Sequence, residues 1–200
     1  MPVCFDRKLA FVHIPKTAGS SVAALLGLDT KKHFFESNYA AYMFDGVTYA
    51  PQHLTPSLLV KLIPNFSDFT TFCFTRHPYE KVVSEYFWLR RDHEGRPVRL
   101  FLEWRFRRWM EKELARKDMD HKLDQWLYAM DCDHVFSFET MNEQWPSIAK
   151  VLGVSPESTL PRLRTGRQDS RRIARSLSDR TKRIIQDLYP DDFDRLGYTR

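Results

Sequence analysis

The sequence predicts an α/β fold of three layers, with a central, mostly parallel sheet flanked by helices. Three observations carry this. Short apolar runs at Leu9–His13, Phe69–Thr75 and His134–Phe138 have the length and content of buried strands. Helical stretches lie between them, the alternation that covers a parallel sheet on both faces. Two of the runs end in a tight turn that opens a helix, and ligands of such sheets gather at the carboxyl ends of the strands.

In chain order, the apolar run Leu9 to Val12 is stopped by Pro15, and Gly19 allows close backbone approach before an apolar helix starts at Val22–Leu26. Thr55-Pro56 reads as an N-cap with proline in the first turn, leading into Leu58, Leu59 and Leu62. Pro78 opens a second such helix through Tyr86, Phe87 and Leu89. Further helices are expected across Leu100–Leu114, Leu123–Met130, Ser147–Leu152 and Ser178–Leu188. No repeat, low-complexity segment or linker divides the 200 residues, so a single domain spanning 1–200 is expected.

Composition bounds the function. With 42% hydrophobic and 14% aromatic residues the chain is globular. No run of about 18 apolar residues is present to cross a membrane, and the first strand begins near Lys8, so neither a signal peptide nor an anchor is expected. Cys4, Cys73 and Cys132 are widely spaced and make no C-x-x-C. Neither a zinc site nor a redox pair is therefore expected, and a reducing cytoplasm is the simplest compartment. The net charge of +5 is concentrated: Arg162 to Arg183 holds nine Arg or Lys against two Asp. A second basic stretch interleaves Arg105, Arg107 and Arg108 with Trp104, Phe106 and Trp109. Such clusters suit anionic ligands, or are the solvated faces of amphipathic helices.

Phe11 to Ser21 is the most informative segment. A strand–loop–helix junction aims backbone N–H groups and the positive end of a helix dipole at one spot, where an anion such as phosphate belongs. Lys16 adds a cation, and Ser20 and Ser21 add hydroxyls. The loop is not the nucleoside-triphosphate motif, whose lysine follows its last glycine; here Lys16 precedes Gly19 by three residues. A second junction runs from Phe72 to Tyr86. Arg76 stands at the strand end and Ser84 about two turns into the helix, an arrangement for a guanidinium fork and a hydroxyl on one anion. The alternative has Arg76 paired with Glu80 or Glu85. Together the two junctions suit a ligand with two separated phosphates.

At this point the chain resembles the sulfotransferases that use 3′-phosphoadenosine 5′-phosphosulfate (PAPS). His13 to Ser21 is similar to their H-x-P-K-T-[AG]-[GS]-[ST]-S segment, and Arg76, Pro78, Lys81 and Ser84 match R-x-P-x-x-[RK]-x-x-S. The ending Leu188 to Tyr198 is similar to the family's Y-x-x-D-[FY]-x-x-[FL]-G-Y, and Phe138-Glu139 and Leu152-Gly153 to its F-E-x-L … L-G. The branch it resembles most contains uronyl 2-O-sulfotransferases and related carbohydrate enzymes.

The resemblance implies a P-loop-like fold and transfer of a sulfuryl group from PAPS to a hydroxyl of a carbohydrate, glycolipid or other acceptor. Adenosine 3′,5′-bisphosphate would be the product, with no metal required and no nucleic acid as partner. It makes Lys16 the residue that stabilises the leaving phosphate, a role worth roughly 3–4 kcal/mol of barrier. Thr17, Ala18, Gly19, Ser20 and Ser21 would cradle the 5′-phosphate, and Arg76 and Ser84 would hold the 3′-phosphate. Arg164 and Arg167 fall where related enzymes carry a loop over the nucleotide's 3′ side. His53 is similar to the histidine that supplies the base in the 2-O branch, although Gln52 replaces the usual glycine and Pro51 a further histidine. His13 is expected to support the loop, and His77 to have no catalytic role. Secretory-pathway members carry an N-terminal anchor, so the alternative to a cytoplasmic enzyme is a catalytic domain trimmed of its anchor. Two other functions fit the same residues: a nucleotide-dependent phosphoryl transferase needing Mg²⁺, and a non-catalytic basic binder of acidic polymers or nucleic acid.

Overall fold

The computed structural model describes residues 3–27, 41–90, 101–158 and 169–200. In chain order the elements are β1 (Val3–Cys4), β2 (Leu9–Val12), α1 (Gly19–Leu25), β3 (Tyr42–Phe44), β4 (Val47–Tyr49), α2 (Pro56–Leu62), β5 (Thr70–Thr75) and α3 (Pro78–Leu89). They continue with α4 (Glu103–Lys112), α5 (Trp126–Ala129), β6 (His134–Ser137), α6 (Trp145–Leu152), α7 (Ser170–Arg175), α8 (Asp179–Leu188) and α9 (Pro190–Asp194).

The sheet runs β1-β2-β5-β6. The pairs β2–β5 and β5–β6 are parallel, with Val12 opposite Cys73 and Thr75 opposite Ser137, and β1 is added antiparallel at the edge. The strand pleat sorts the core into two layers. Ala10, Val12 and Cys73 face Leu58 and Leu59 of α2 and Tyr128 and Ala129 of α5. Leu9, Phe11, Phe72 and Phe74 face Val22 of α1 and Ile148 and Leu152 of α6. Helices therefore cover both faces, as the alternation of strands and helices predicts. A separate helical core joins Tyr86 of α3 to Phe106 and Trp109 of α4, Ile185 of α8 and Phe193 of α9.

Several elements depart from the sequence expectation. The hairpin β3–β4 lies outside the strands expected from the apolar runs; its Asp45-Gly46 turn takes φ of 50° and 78°, the left-handed pair of a two-residue hairpin. The helix expected over Leu123–Met130 shrinks to Trp126–Ala129 because Asp124 is engaged in an ion pair with Lys117 and Gln125 in hydrogen bonds to the Arg76 backbone. The helix expected over Leu100–Leu114 spans Glu103–Lys112, with Leu114 in a following 3-10 turn. Inside the basic stretch, Asp169 caps α7 by accepting from the Arg172 N–H at 3.0 Å.

The C-terminal segment folds back to brace the sheet. Asp192, almost wholly buried, accepts from the Trp126 N–H at 2.9 Å and from Gln125 Nε2 at 3.1 Å. Tyr198 shares a 2.8 Å hydrogen bond with Thr75 Oγ1 at the end of β5.

Candidate functional site

Three loops meet at the carboxyl ends of β2, β5 and β6. After β2 the chain passes from His13 to Ala18 and enters α1. Lys16 and Ala18 both take left-handed backbone conformations, at φ of 69° and 71°. In a non-glycine residue this costs about 1–3 kcal/mol and is retained where function or packing demands it. Left-handed residues in such a loop turn backbone N–H groups toward one concavity. Ser21 N–H and Val22 N–H both donate to Ala18 O, at 2.9 and 3.2 Å, so the amides of Gly19 and Ser20 lie ahead of the helical ladder. The Thr17 hydroxyl is fully buried and donates to Ile14 O at 2.8 Å, which leaves that residue its N–H to offer an anion.

Gly19 has a reason to be glycine. A Cβ there would stand 1.8 Å from His13 Nε2, so the His13 ring lies against the first turn of α1. His13 also stacks on Phe11, with ring centroids 5.3 Å apart. It supports the loop from behind.

Arg76 follows β5 and ties this loop to the second junction. Its backbone is clamped by Gln125, which accepts from the Arg76 N–H at 2.8 Å and donates to its carbonyl at 2.7 Å. The guanidinium reaches Lys16 O at 3.4 Å, donates to Ser170 Oγ at 2.7 Å, and lies 4.8 Å over the Phe138 ring. It also pairs with Glu80 at 3.1 Å, the simpler of the two readings of its sequence context, while Arg171 approaches the same carboxylate at 3.4 Å. Two guanidiniums on one carboxylate leave the group with a net positive charge. Ser84, half-buried, lies one turn beyond Glu80 and one before Trp88 on α3, so the three share a ridge. Lys81, by contrast, is turned into the interior, where its Nζ donates to Leu123 O at 3.4 Å.

His53 sits in a 3-10 turn over Pro51–His53 and is buried. Its Nδ1 is 2.6 Å from His13 O. Because a carbonyl can only accept, Nδ1 carries the proton and Nε2 keeps its lone pair. Burial, then the neighbouring His13 and His121, push its pKa well below the usual imidazole range, so it is neutral at pH 7. Beside it stands a group that no motif announced. His121 contacts His53 edge-on at 5.0 Å, holds Glu85 Oε1 at 2.8 Å through Nδ1, and stacks on Trp88 at 4.2 Å and 8°. Lys16 Nζ lies 5.7 Å over the same Trp88 ring. His13, His53, His121, Glu85, Trp88 and Lys16 thus form one contiguous cluster.

His77 lies apart from this cluster, its ring packed among Tyr79, Phe193 and Tyr198. Arg164 and Arg167 lie outside the described residues. The aromatic-basic stretch divides: Phe106 and Trp109 are core residues of α4, while Trp104 is 54% exposed. Trp104 lines an open pocket of about 350 Å³ with Arg90, Arg105, Arg108 and Lys112. Among the described residues no three His, Cys, Asp or Glu side chains gather as for a metal ion. None of their helices is long and apolar enough to cross a membrane.

No curated protein and no solved structure matches the chain. The family model described as "Sulfotransferase family" matches residues 2–199. With that match spanning nearly the whole chain, over an α/β scaffold whose strand ends bring Lys16 and Arg76 together, the chain belongs to the sulfotransferase family, and its chemistry is sulfuryl transfer.

Proposed function

We propose that this protein transfers the sulfuryl group of PAPS, in line, to a hydroxyl of a carbohydrate or glycolipid acceptor. The observation that carries the reading is the contact of two anion-suited junctions: the Arg76 guanidinium reaches the carbonyl of Lys16, so the two strand ends can serve one ligand with phosphates at both ends.

In this reading the amides of Thr17, Ala18, Gly19 and Ser20, with the Ser20 and Ser21 hydroxyls, hold the 5′-phosphate. Lys16 Nζ meets the negative charge that grows on the leaving phosphate, a contribution realised in the transition state rather than in ground-state binding. Arg76 and Ser84 hold the 3′-phosphate, with Ser170 and Arg171 orienting the guanidinium, and the family resemblance gives Arg164 and Arg167 a share in binding the same phosphate. His53 Nε2 takes the proton from the acceptor hydroxyl. Its neutral state and fixed tautomer support that role, since a base must be unprotonated and must present its lone pair. Placing the chain near the uronyl 2-O branch rests on the segment around His53. Exposed Trp104 among arginines supports a carbohydrate acceptor, because sugars stack on aromatic faces. Three free cysteines support a reducing compartment such as the cytoplasm.

The test is an acceptor screen with isotopically labelled PAPS, read by mass spectrometry in metal-free buffer. Label on a hydroxyl of a glycan or glycolipid supports the reading. Activity that appears only with ATP and Mg²⁺ overturns it in favour of phosphoryl transfer.

A further inference from the structure

We propose that His121, anchored by Glu85 and Trp88, is the positioning residue for His53, and that it keeps the His53 ring turned so that Nε2 faces the acceptor hydroxyl. The inference rests on the reading of His53 as the base.

The hydrogen bond from Nδ1 to His13 O selects the His53 tautomer only while the ring keeps Nδ1 aimed at that carbonyl, and one such contact leaves the ring free to swing out of it. Two flanking rings remove the freedom: His13 at 4.5 Å and 62°, and His121 at 5.0 Å and 86°. His121 is itself held on three sides. Glu85 Oε1 accepts from its Nδ1 at 2.8 Å, and Trp88 lies flat against its ring. Its backbone N–H donates to Asp120 Oδ1 at 2.7 Å. Asp120 Oδ2 accepts from the Ala50 N–H at 2.8 Å, directly before the turn that carries His53. The segments bearing His121 and His53 are therefore tied through one carboxylate as well as through their rings.

Glu85 is an expensive way to hold a ring if only stability mattered. It is 1% exposed, and among the described residues its Oε2 has no hydrogen-bond partner. Half-satisfied buried carboxylates are disfavoured in a purely structural role. Glu85 and Trp88, three residues apart on α3, set His121 by one hydrogen bond and one stacking face. Trp88 also lies beneath Lys16, so the same helix positions the surroundings of both the proposed base and the leaving-group lysine.

The experiment compares wild type with His121→Ala, Glu85→Ala and Glu85→Gln. Nitrogen-15 NMR of the imidazoles reports the His53 tautomer in the free protein. Slow hydrolysis of PAPS by water, followed as release of adenosine 3′,5′-bisphosphate, reports turnover. Calorimetry with the bisphosphate reports the donor site. In His121→Ala and Glu85→Ala, His53 should populate both tautomers and kcat should fall about ten- to hundredfold, the scale of a small misplacement. KM for PAPS and bisphosphate affinity should stay within about threefold of wild type, as expected when only orientation is lost. Glu85→Gln should retain the single tautomer and most of the rate, since its amide oxygen still accepts from Nδ1.

If His121→Ala does not fold, His121→Gln, which fills the space and can still donate to Glu85 but lacks the ring edge, takes its place with the same expectation. A single His53 tautomer and an unchanged kcat in the ring-less variant overturn the proposal. Failure of wild type to bind the bisphosphate overturns the donor-site reading instead, and the NMR comparison still decides whether His121 orients His53.

Discussion

Gly19→Ala sets two physical effects against each other, and the structure decides the sign. Gly19 is the first residue of α1 and its φ lies outside the left-handed region, so the backbone itself would accept alanine. Helix propensity alone then favours the substitution by up to about 1 kcal/mol. Packing opposes it. The new methyl would stand 1.8 Å from His13 Nε2, 2.0 Å from Cδ2 and 2.4 Å from Cε1. Carbon contacts relax only near 3.5 Å, so the ring must retreat by roughly 1.5 Å. It stacks on Phe11 on one side and meets the His53 ring at 4.5 Å on the other. Overpacking of this kind costs about 1–3 kcal/mol. The net expectation is a loss of about 1–2 kcal/mol, which for a domain of this size lowers Tm by about 2–8 °C. Thermal unfolding followed by circular dichroism measures the stability, and calorimetry with adenosine 3′,5′-bisphosphate measures the loop, where a loss of about tenfold is expected. A variant that melts higher than wild type and binds equally well refutes the claim that the His13 ring constrains this turn.

Three further predictions follow from the same geometry. Lys16→Ala should lower turnover by about 10²–10³-fold, the effect of losing one donor aimed at developing charge, and should weaken bisphosphate binding; single-turnover kinetics separate the two. Arg76→Lys should weaken bisphosphate binding by about tenfold or more in calorimetry, because an ammonium cannot reproduce the fork or stack on Phe138. Stability should respond to pH in two opposed ways. His53 is held neutral in the fold, so the unfolded chain takes up the proton first; its contribution is full above about pH 6.5 and declines below, and His53→Gln should remove that decline in urea midpoints. Burial raises the Asp192 carboxyl to about 6, so the fold favours its protonated form and loses stability as pH rises from about 4 through 6. Relative to wild type, Asp192→Asn should gain about 3 kcal/mol between pH 4 and pH 7, and a pH-independent difference would contradict this.

The central sheet could be read from sequence because β2 and β5 are buried on both faces and so are apolar runs without alternation. The turns after them were legible for the same reason: Pro15, Gly19 and Pro78 punctuate where apolar strands stop. The hairpin β3–β4 carries a turn signal in Asp45-Gly46, but its flanking strands are only three residues each, too short for a clear alternation of apolar and polar residues. Helix α7 was hidden because Ser170–Arg175 is dominated by arginines and buries little beyond Ala174. The Glu85–His121 pair and Trp88 could not be read at all. His121 lies 36 residues from Glu85 and carries no spacing motif; only the folding of the 120–125 segment against α3 brings them together. Gln125 is similar, since an amide that clamps Arg76 from 49 residues away looks in sequence like any helix residue.

Calorimetric titration of the metal-free protein with adenosine 3′,5′-bisphosphate and, separately, adenosine 5′-monophosphate tests most directly whether the two junctions bind one nucleotide. Two anion sites acting on one nucleotide predict that the bisphosphate binds at least about tenfold tighter in the presence of a chelator, with the difference vanishing in Arg76→Ala. Equal affinity for the two nucleotides, or tight binding that requires ATP and Mg²⁺, would contradict it.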